Sequence, residues 1–292
     1  MRVPLSCVRF KHNCFVFEYD FRYPAFASNV NASLNAVNAE FLKLKLRRFQ
    51  NSFALWRRPF SVGSNMLPIF TYILPICYNG FEGRVDEMME TVSVAAHYDA
   101  LVTEGNDPVY DPEPLRAYME KWDGAVFMER LALDGTQRAL EIGVGTGRLA
   151  RQVAPRCRSF VGIDLSTKTI ARARENLAAF SNVQLAAGDF LSQAFEETFD
   201  VILSSLTFMH IREKDAAFRK TYALLASGGR FVLSIDKNQS EWLECGQRRV
   251  RLHPDAPEET EERLKRAGFR VESCDETEFA YIFTGYKEGV SC

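Results

Sequence analysis

Three carboxylates and three glycines stand at spacings that could hold a ligand. Ala139-Leu-Glu-Ile-Gly-Val-Gly-Thr-Gly-Arg-Leu-Ala150 runs an apolar strand into Gly143, Gly145 and Gly147 and then directly into a helix. Glycines at such a turn let the chain bend sharply and let a ligand approach main-chain amides with no Cβ in the way. The spacing is G-x-G-x-G, and Arg148 stands where the dinucleotide fingerprint wants Gly or Ala. Glu141, just ahead of the turn, would repel a pyrophosphate and suit a cationic ligand. Asp164 ends Val161-Gly-Ile-Asp, placed to accept from both hydroxyls of a ribose. Asp189 ends Ala186-Ala-Gly-Asp, placed to accept from an adenine amino group while Phe190 or a neighbour covers the ring. A fourth apolar run ends in Ser204-Ser-Leu-Thr-Phe-Met-His210. His210 is a candidate general base, because histidine titrates near neutral pH; the competing reading is a capping or packing histidine. No His, Cys, Asp or Glu group has metal-ligand spacing, so no metal is expected.

These groups need a scaffold that brings strand ends together. Strands are predicted at Arg138–Val144, Ser159–Asp164, Val183–Ala187, Phe199–Ser204 and Arg230–Ile235, with helices near 147–155, 167–180, 190–195 and 212–226. Strand–helix alternation with short loops gives a parallel sheet covered on both faces, whose ligands sit at the carboxyl ends of the strands. A helix at Glu258–Ala267 and strands at Phe269–Cys274 and Glu278–Lys287 close the chain. Upstream, Val92–Leu101 and Pro114–Leu131 read as amphipathic helices. After the fifth strand, Asp236-Lys-Asn-Gln-Ser-Glu-Trp242 is either an acceptor-contacting loop or a polar turn leading into a helix anchored by Trp242. Arg248, Arg249 and Arg251, with Lys237, are candidates to bind an anion, or form a solvated basic strand.

Composition divides the chain. Residues 1–90 hold 11 of the 23 Phe and carry a net charge of +4, while residues 91–292 carry −6, within an overall −2. We therefore expect an α+β N-terminal segment over 1–90 and a second domain over 91–292. In the first, Val8–Phe10 and the alternation Phe15, Phe17, Tyr19, Phe21 suggest a hairpin. Residues 32–58 suggest a basic amphipathic helix for a partner or membrane surface, or one packing on its own hairpin. Residues 57–90 read as linker. Seven scattered cysteines without C-x-x-C suggest free thiols and a cytoplasmic setting. The most apolar run, Met66 to Tyr78, is too short and Pro-broken for a transmembrane span. The acidic balance of 91–292 disfavours nucleic acid as a partner.

Taken in order, the Glu-x-Gly-x-Gly-x-Gly turn, the acidic end of strand two, Gly-Asp-Phe after strand three and Leu225-Ala-Ser-Gly-Gly-Arg-Phe before strand five resemble the class I S-adenosylmethionine-dependent methyltransferases. The likeness covers about Val94 to Lys287. It implies a Rossmann-like, seven-stranded, mostly parallel sheet with helices on both faces and an antiparallel last strand. By the same resemblance Gly143, Gly145 and Gly147 lie along the methionine moiety of S-adenosylmethionine. Glu141 lies near its amino end, Asp164 at the ribose and Asp189 at the adenine, with Phe190 and Ser204 alongside. Tyr98, in Tyr98-Asp99, fits the N-terminal helix that covers the cofactor, packing rather than ionising. The implied activity is methyl transfer to a small-molecule acceptor; the alternative is a non-catalytic sensor or partner-binding module. Ser204-Ser-Leu-Thr lacks the Asn/Asp-Pro-Pro-aromatic tetrapeptide of enzymes that methylate base amino groups, which also points away from nucleic acid.

Overall fold

Neighbouring residues along the central strands are apolar on both sides, and the fold explains why. The computed structural model describes strands β1 (Val3–Phe10) and β2 (Asn13–Tyr19) and residues 89–289. Contacts divide the chain into Met1–Met88 and Met89–Cys292. In the first unit β1 and β2 pair antiparallel, with Phe10 opposite Asn13. The basic helix expected at 32–58 lies outside the described residues, as does the linker expected at 57–90 except for its last two residues, of which Glu90 is in a strand.

The second unit is built on seven strands: β4 (Arg138–Ile142), β5 (Ser159–Asp164), β6 (Val183–Ala187), β7 (Phe199–Ser205), β8 (Leu225–Asp236), β11 (Arg270–Glu276) and β12 (Ala280–Tyr286). Their order is β11-β12-β8-β7-β4-β5-β6. Pairing from β8 to β6 is parallel, and β12 runs antiparallel to both β8 and β11. This is the Rossmann-like sheet with an antiparallel final strand. Successive side chains leave a strand on opposite faces, so buried strands carry two apolar sets. Ala139, Val201, Val232 and Ile282 pack with Phe127, Leu131, Ala150 and Ile170 on one face. Leu140, Ile202, Leu233 and Phe283 pack with Phe218, Leu264 and Phe269 on the other. The covering helices are α3 (Gly124–Leu131), α4 (Ala150–Val153) and α5 (Thr167–Asn176) on the first side, and α6 (Lys214–Leu224) and α7 (Pro257–Ala267) on the second. Among the described residues no helix is long and apolar enough to cross a membrane.

Four sequence expectations need correction. The helix expected over Pro114–Leu131 is two, α2 (Glu113–Met119) and α3. The break lies at Asp123, 1% exposed, which turns inward to accept from the Gly124 amide, Arg148 and Ser205. No helix forms at 190–195; Asp189 instead closes a turn by accepting from the Leu191 and Ser192 amides, at 3.3 and 3.1 Å. β8 begins at Leu225 rather than Arg230, with a register shift opposite Phe199–Val201. Finally, Trp242 starts no helix. It begins β9 (Trp242–Cys245), which pairs antiparallel with β10 (Arg248–Arg251), and β10 pairs parallel with β3 (Glu90–Thr91). Trp242 alternates with Leu243, buried against Val250, Leu252 and Met209. That period-two burial is what a short sheet needs.

Candidate ligand site at the strand ends

Backbone strain marks where the first strand turns. Gly143 sits at φ +80°, and a Cβ there would lie 1.9 Å from Thr207 Oγ1. Gly143 and Val144 both donate to the Ile163 carbonyl, at 2.8 and 3.0 Å, which fixes the turn to β5. Gly143→Ala should therefore destabilise the protein by more than about 3 kcal/mol, from left-handed backbone strain added to overlap. Thermal melts would show a drop of about 6–12 °C for a unit of this size. Gly145, at φ +58°, is different: a Cβ there would meet nothing within 4 Å. Its face forms a shallow cradle of backbone.

Beneath the turn lies a buried charge cluster. Glu141 is 3% exposed, and its Oε2 is buried without a hydrogen-bond partner. Burial pushes its carboxyl well above the usual range, against the pull of Arg148 and with the support of Asp123 and Asp164. Arg148 is engaged by the buried Asp123, one of the bonds measuring 3.1 Å. Ser205 Oγ donates to the same carboxylate at 2.9 Å. The guanidinium is thereby committed to Asp123. An arginine at the position after the third glycine is thus a structural brace joining the turn to α3 and β7. No sequence signal marked Asp123, because its neighbours read as helix interior.

Asp164 ends β5 with one oxygen accepting from the Gly145 amide at 3.0 Å and the other from the Ser166 amide at 2.9 Å. Burial raises its pKa, and these amides work against that rise. An ionised carboxylate has about four lone-pair sites, so both oxygens keep capacity for further donors. Asp189 is exposed at the end of β6, held by its turn. Phe190 and Ser204 do not join the site as expected. The Phe190 ring is 5% exposed and packs on Phe195, with Lys220 Nζ 5.2 Å from its centroid. Ser204 is fully buried and donates to the Ile142 carbonyl at 2.9 Å, tying β7 to β4. Ser204 faces the core because its position in β7 sends it there, and the Phe190 ring is drawn in by its packing on Phe195.

Helix α1 (Val94–Thr103) supplies the roof. Its Asp99 accepts from Ser166 Oγ at 2.5 Å and the Lys168 amide at 3.1 Å, so α1 is fastened to the start of α5. The neighbouring Tyr98 hydroxyl is 2.9 Å from His210 Nε2, with the two rings edge to face. The structure thus joins the two residues whose roles sequence left ambiguous. Burial, with the charge of Asp164, raises the Tyr98 hydroxyl pKa. His210 is lowered to about 3, chiefly by burial and then by His97, Lys214 and His253, so its ring is neutral at pH 7. Its Nδ1 is buried without a hydrogen-bond partner.

Behind Tyr98, His97 is 2% exposed and accepts from Arg248 Nε at 3.3 Å; Arg248 also forks onto Glu104 at 2.5 and 2.6 Å. Burial and Arg248 lower His97 to about 4. The three arginines of β10 do not converge. Arg248 turns toward α1, whereas Arg249 and Arg251 lie over the Trp242 ring, at 4.4 and 5.1 Å. Arg251 pairs with Glu241 and Lys237 with Glu276. Strand alternation defeats the shared anion site. Among the described residues no group of three or more His, Cys, Asp or Glu is placed to hold a metal.

An open α/β sheet with a glycine turn and carboxylates at its strand ends defines a Rossmann-like domain, whose ligands sit at the carboxyl ends of the strands. Residues 139–229 match the family model described as "Methyltransferase domain". An uncharacterised methyltransferase of Bacillus cytotoxicus is 32% identical over 156 residues, which cover 53% of this chain and 66% of that protein. Phosphoethanolamine N-methyltransferase 3 of Arabidopsis thaliana is 33% identical over 111 residues, 37% of this chain and 23% of the plant protein. The chain thus spans just under two thirds of the first relative. In fold it is similar to the [4+2]-cyclase SpnF and to DhpI in its complex with SAH. Each has a TM-score of 0.54 and 18% identity; they cover 69% and 68% of this chain, and 99% and 96% of their own. Residues 139–229 thus match a methyltransferase domain, and the fold around them is the Rossmann-like one those solved structures share.

Proposed function

We propose that the chain, through residues 91–292, binds S-adenosylmethionine and catalyses transfer of its methyl group to a small-molecule acceptor. The observation that carries this reading is Glu141, buried beside the glycine turn with an unpaired oxygen. An unsatisfied buried acceptor is costly, and a ligand ammonium would supply the missing donor. The cofactor's methionine amino group has that chemistry. The Gly145 cradle leaves room for main-chain approach, Asp164 retains lone pairs for the ribose diol, and Asp189 stands exposed for the adenine amino group. The residues present fit the cofactor.

Once bound, the cofactor supplies a sulfonium whose methyl group is intrinsically transferable. The chain's contribution is positioning and exclusion of water. α1 and the β9–β10 hairpin form the cover, and Tyr98 ties that cover to His210. His210 is the candidate base: in the tautomer whose Nε2–H donates to the Tyr98 hydroxyl, Nδ1 carries the lone pair that would receive a proton. So weakly basic a ring serves only for a proton already loosened by the acceptor's attack.

Calorimetric titration with S-adenosylmethionine should show binding, which Asp164→Ala weakens by about 10- to 100-fold, the loss expected for hydrogen bonds to a charged group. No binding at millimolar cofactor would sink the reading. The likeness to a phosphoethanolamine N-methyltransferase makes phosphoethanolamine the first acceptor to try, followed by other amines, phenols, thiols and carboxylates. The internal Tyr98–His210 bond favours one competing reading, a domain that binds the cofactor without turnover. Formation of S-adenosylhomocysteine with any acceptor removes it.

A further inference from the structure

We propose that the buried Lys214–Asp255 ion pair is a positioning device for His210, fixing the turn that presents its imidazole to Tyr98; its catalytic meaning rests on the function proposed above. Lys214 and Asp255 are each 6% exposed, and Lys214 Nζ lies 2.6 Å from Asp255 Oδ1. Burying two charges for stability alone is a poor bargain, because desolvation offsets much of their attraction. This pair has a second task. Lys214 Nζ also donates to the Phe208 carbonyl at 2.6 Å, and the His253 amide, two residues before Asp255, donates to the Met209 carbonyl at 2.7 Å. Phe208, Met209 and His210 form one 3-10 turn. Both carbonyls preceding His210 are therefore held from the Lys214–Asp255 side.

The turn needs such restraint. Chain enters it through Leu206 at φ +53°, a left-handed conformation unfavourable for leucine. The Phe208 ring packs on Phe218 and Phe231, with centroids 5.0 and 5.7 Å apart. Those apolar contacts anchor the ring, while the polar bonds set the direction of the peptide planes that aim His210. The titratable groups facing His210 are His97 and Tyr98 from α1, Lys214 from α6 and His253 from the segment after β10. The Lys214 charge among them also disfavours a proton on the ring.

The test is imidazole ¹⁵N NMR of the full chain, which needs no acceptor. In the wild type His210 should show a single tautomer and stay neutral to below pH 5. Lys214→Met alone strands a buried carboxylate and risks unfolding, so the decisive variant is Lys214→Met with Asp255→Leu, a buried pair replaced by apolar residues. It should fold, with S-adenosylmethionine affinity within about threefold of wild type by calorimetry. His210 should then titrate about one pH unit higher or more, with mixed tautomers, as its turn loosens and hydrates. A His210 spectrum and titration unchanged in the double variant would overturn the proposal. So would a wild-type His210 that titrates near 6.5, a result available even if the variant does not fold. Absence of cofactor binding by the wild type would instead count against the proposed function and leave the His210 result standing.

Discussion

Gly145→Ala is expected to fold and to lose about 10- to 100-fold in affinity for S-adenosylmethionine. Its left-handed backbone, φ +58°, should cost an alanine about 1–2 kcal/mol, lowering the melting temperature by about 3–6 °C. Nothing protein-borne lies within 4 Å of the new methyl group, so no clash adds to that cost. The methyl group would stand where a ligand must approach the main chain, and overpacking of about 1–3 kcal/mol appears as lost affinity. Melting curves and calorimetry on the same sample separate the two effects. Gly143→Ala should show the reverse balance, with its damage dominated by stability, because its methyl group overlaps Thr207. A Gly145→Ala protein that binds as tightly as wild type would remove the turn from the ligand site.

Glu141→Gln is the second large effect, and it should separate stability from binding. In the free protein Glu141 titrates well above its ordinary 4.5, because burial disfavours the carboxylate. A raised folded-state pKa favours folding below about 4.5, and that contribution is lost as pH rises toward the folded value. Glutamine does not ionise, so the variant should gain stability relative to wild type as pH climbs from about 4.5. Denaturant midpoints at a series of pH values measure this. Binding should move oppositely. A cationic ammonium prefers an ionised Glu141, so wild-type affinity should rise with pH as the carboxyl ionises, while the variant's stays flat. The variant should be about 10- to 100-fold weaker at the upper end, the usual worth of a hydrogen bond between charged groups. Equal pH slopes for the two proteins would show that Glu141 does not meet the ligand's cation.

The sheet was legible because its strands carry continuous apolar runs broken by glycine turns, a pattern that local chain stiffness and burial both enforce. Ser159–Asp164 and Val183–Ala187 fall where the strand pattern places them. The glycine turn was legible for a covalent reason, since a missing Cβ is visible in the sequence whatever surrounds it. Helix breaks were less so. Asp123, four residues past the end of α2, caps the start of α3, and Arg148 and Ser205, 25 and 82 residues away, claim its carboxylate. No local pattern carries that.

The sequence by itself determined the order of the seven central strands, the glycine turn and the carboxylates Glu141, Asp164 and Asp189 at or near strand ends. Those follow from backbone stereochemistry and side-chain period, which act over a few residues. Tertiary structure alone decided which polar groups meet. It buried Ser204 and Phe190 in the core, split the β10 arginines between two faces, and left one Glu141 oxygen unpaired. It also brought Tyr98 to His210 across 112 residues and Lys214 to Asp255 beneath the same turn. Partners so distant in the chain are chosen by how the layers pack, and packing is a property of the whole fold.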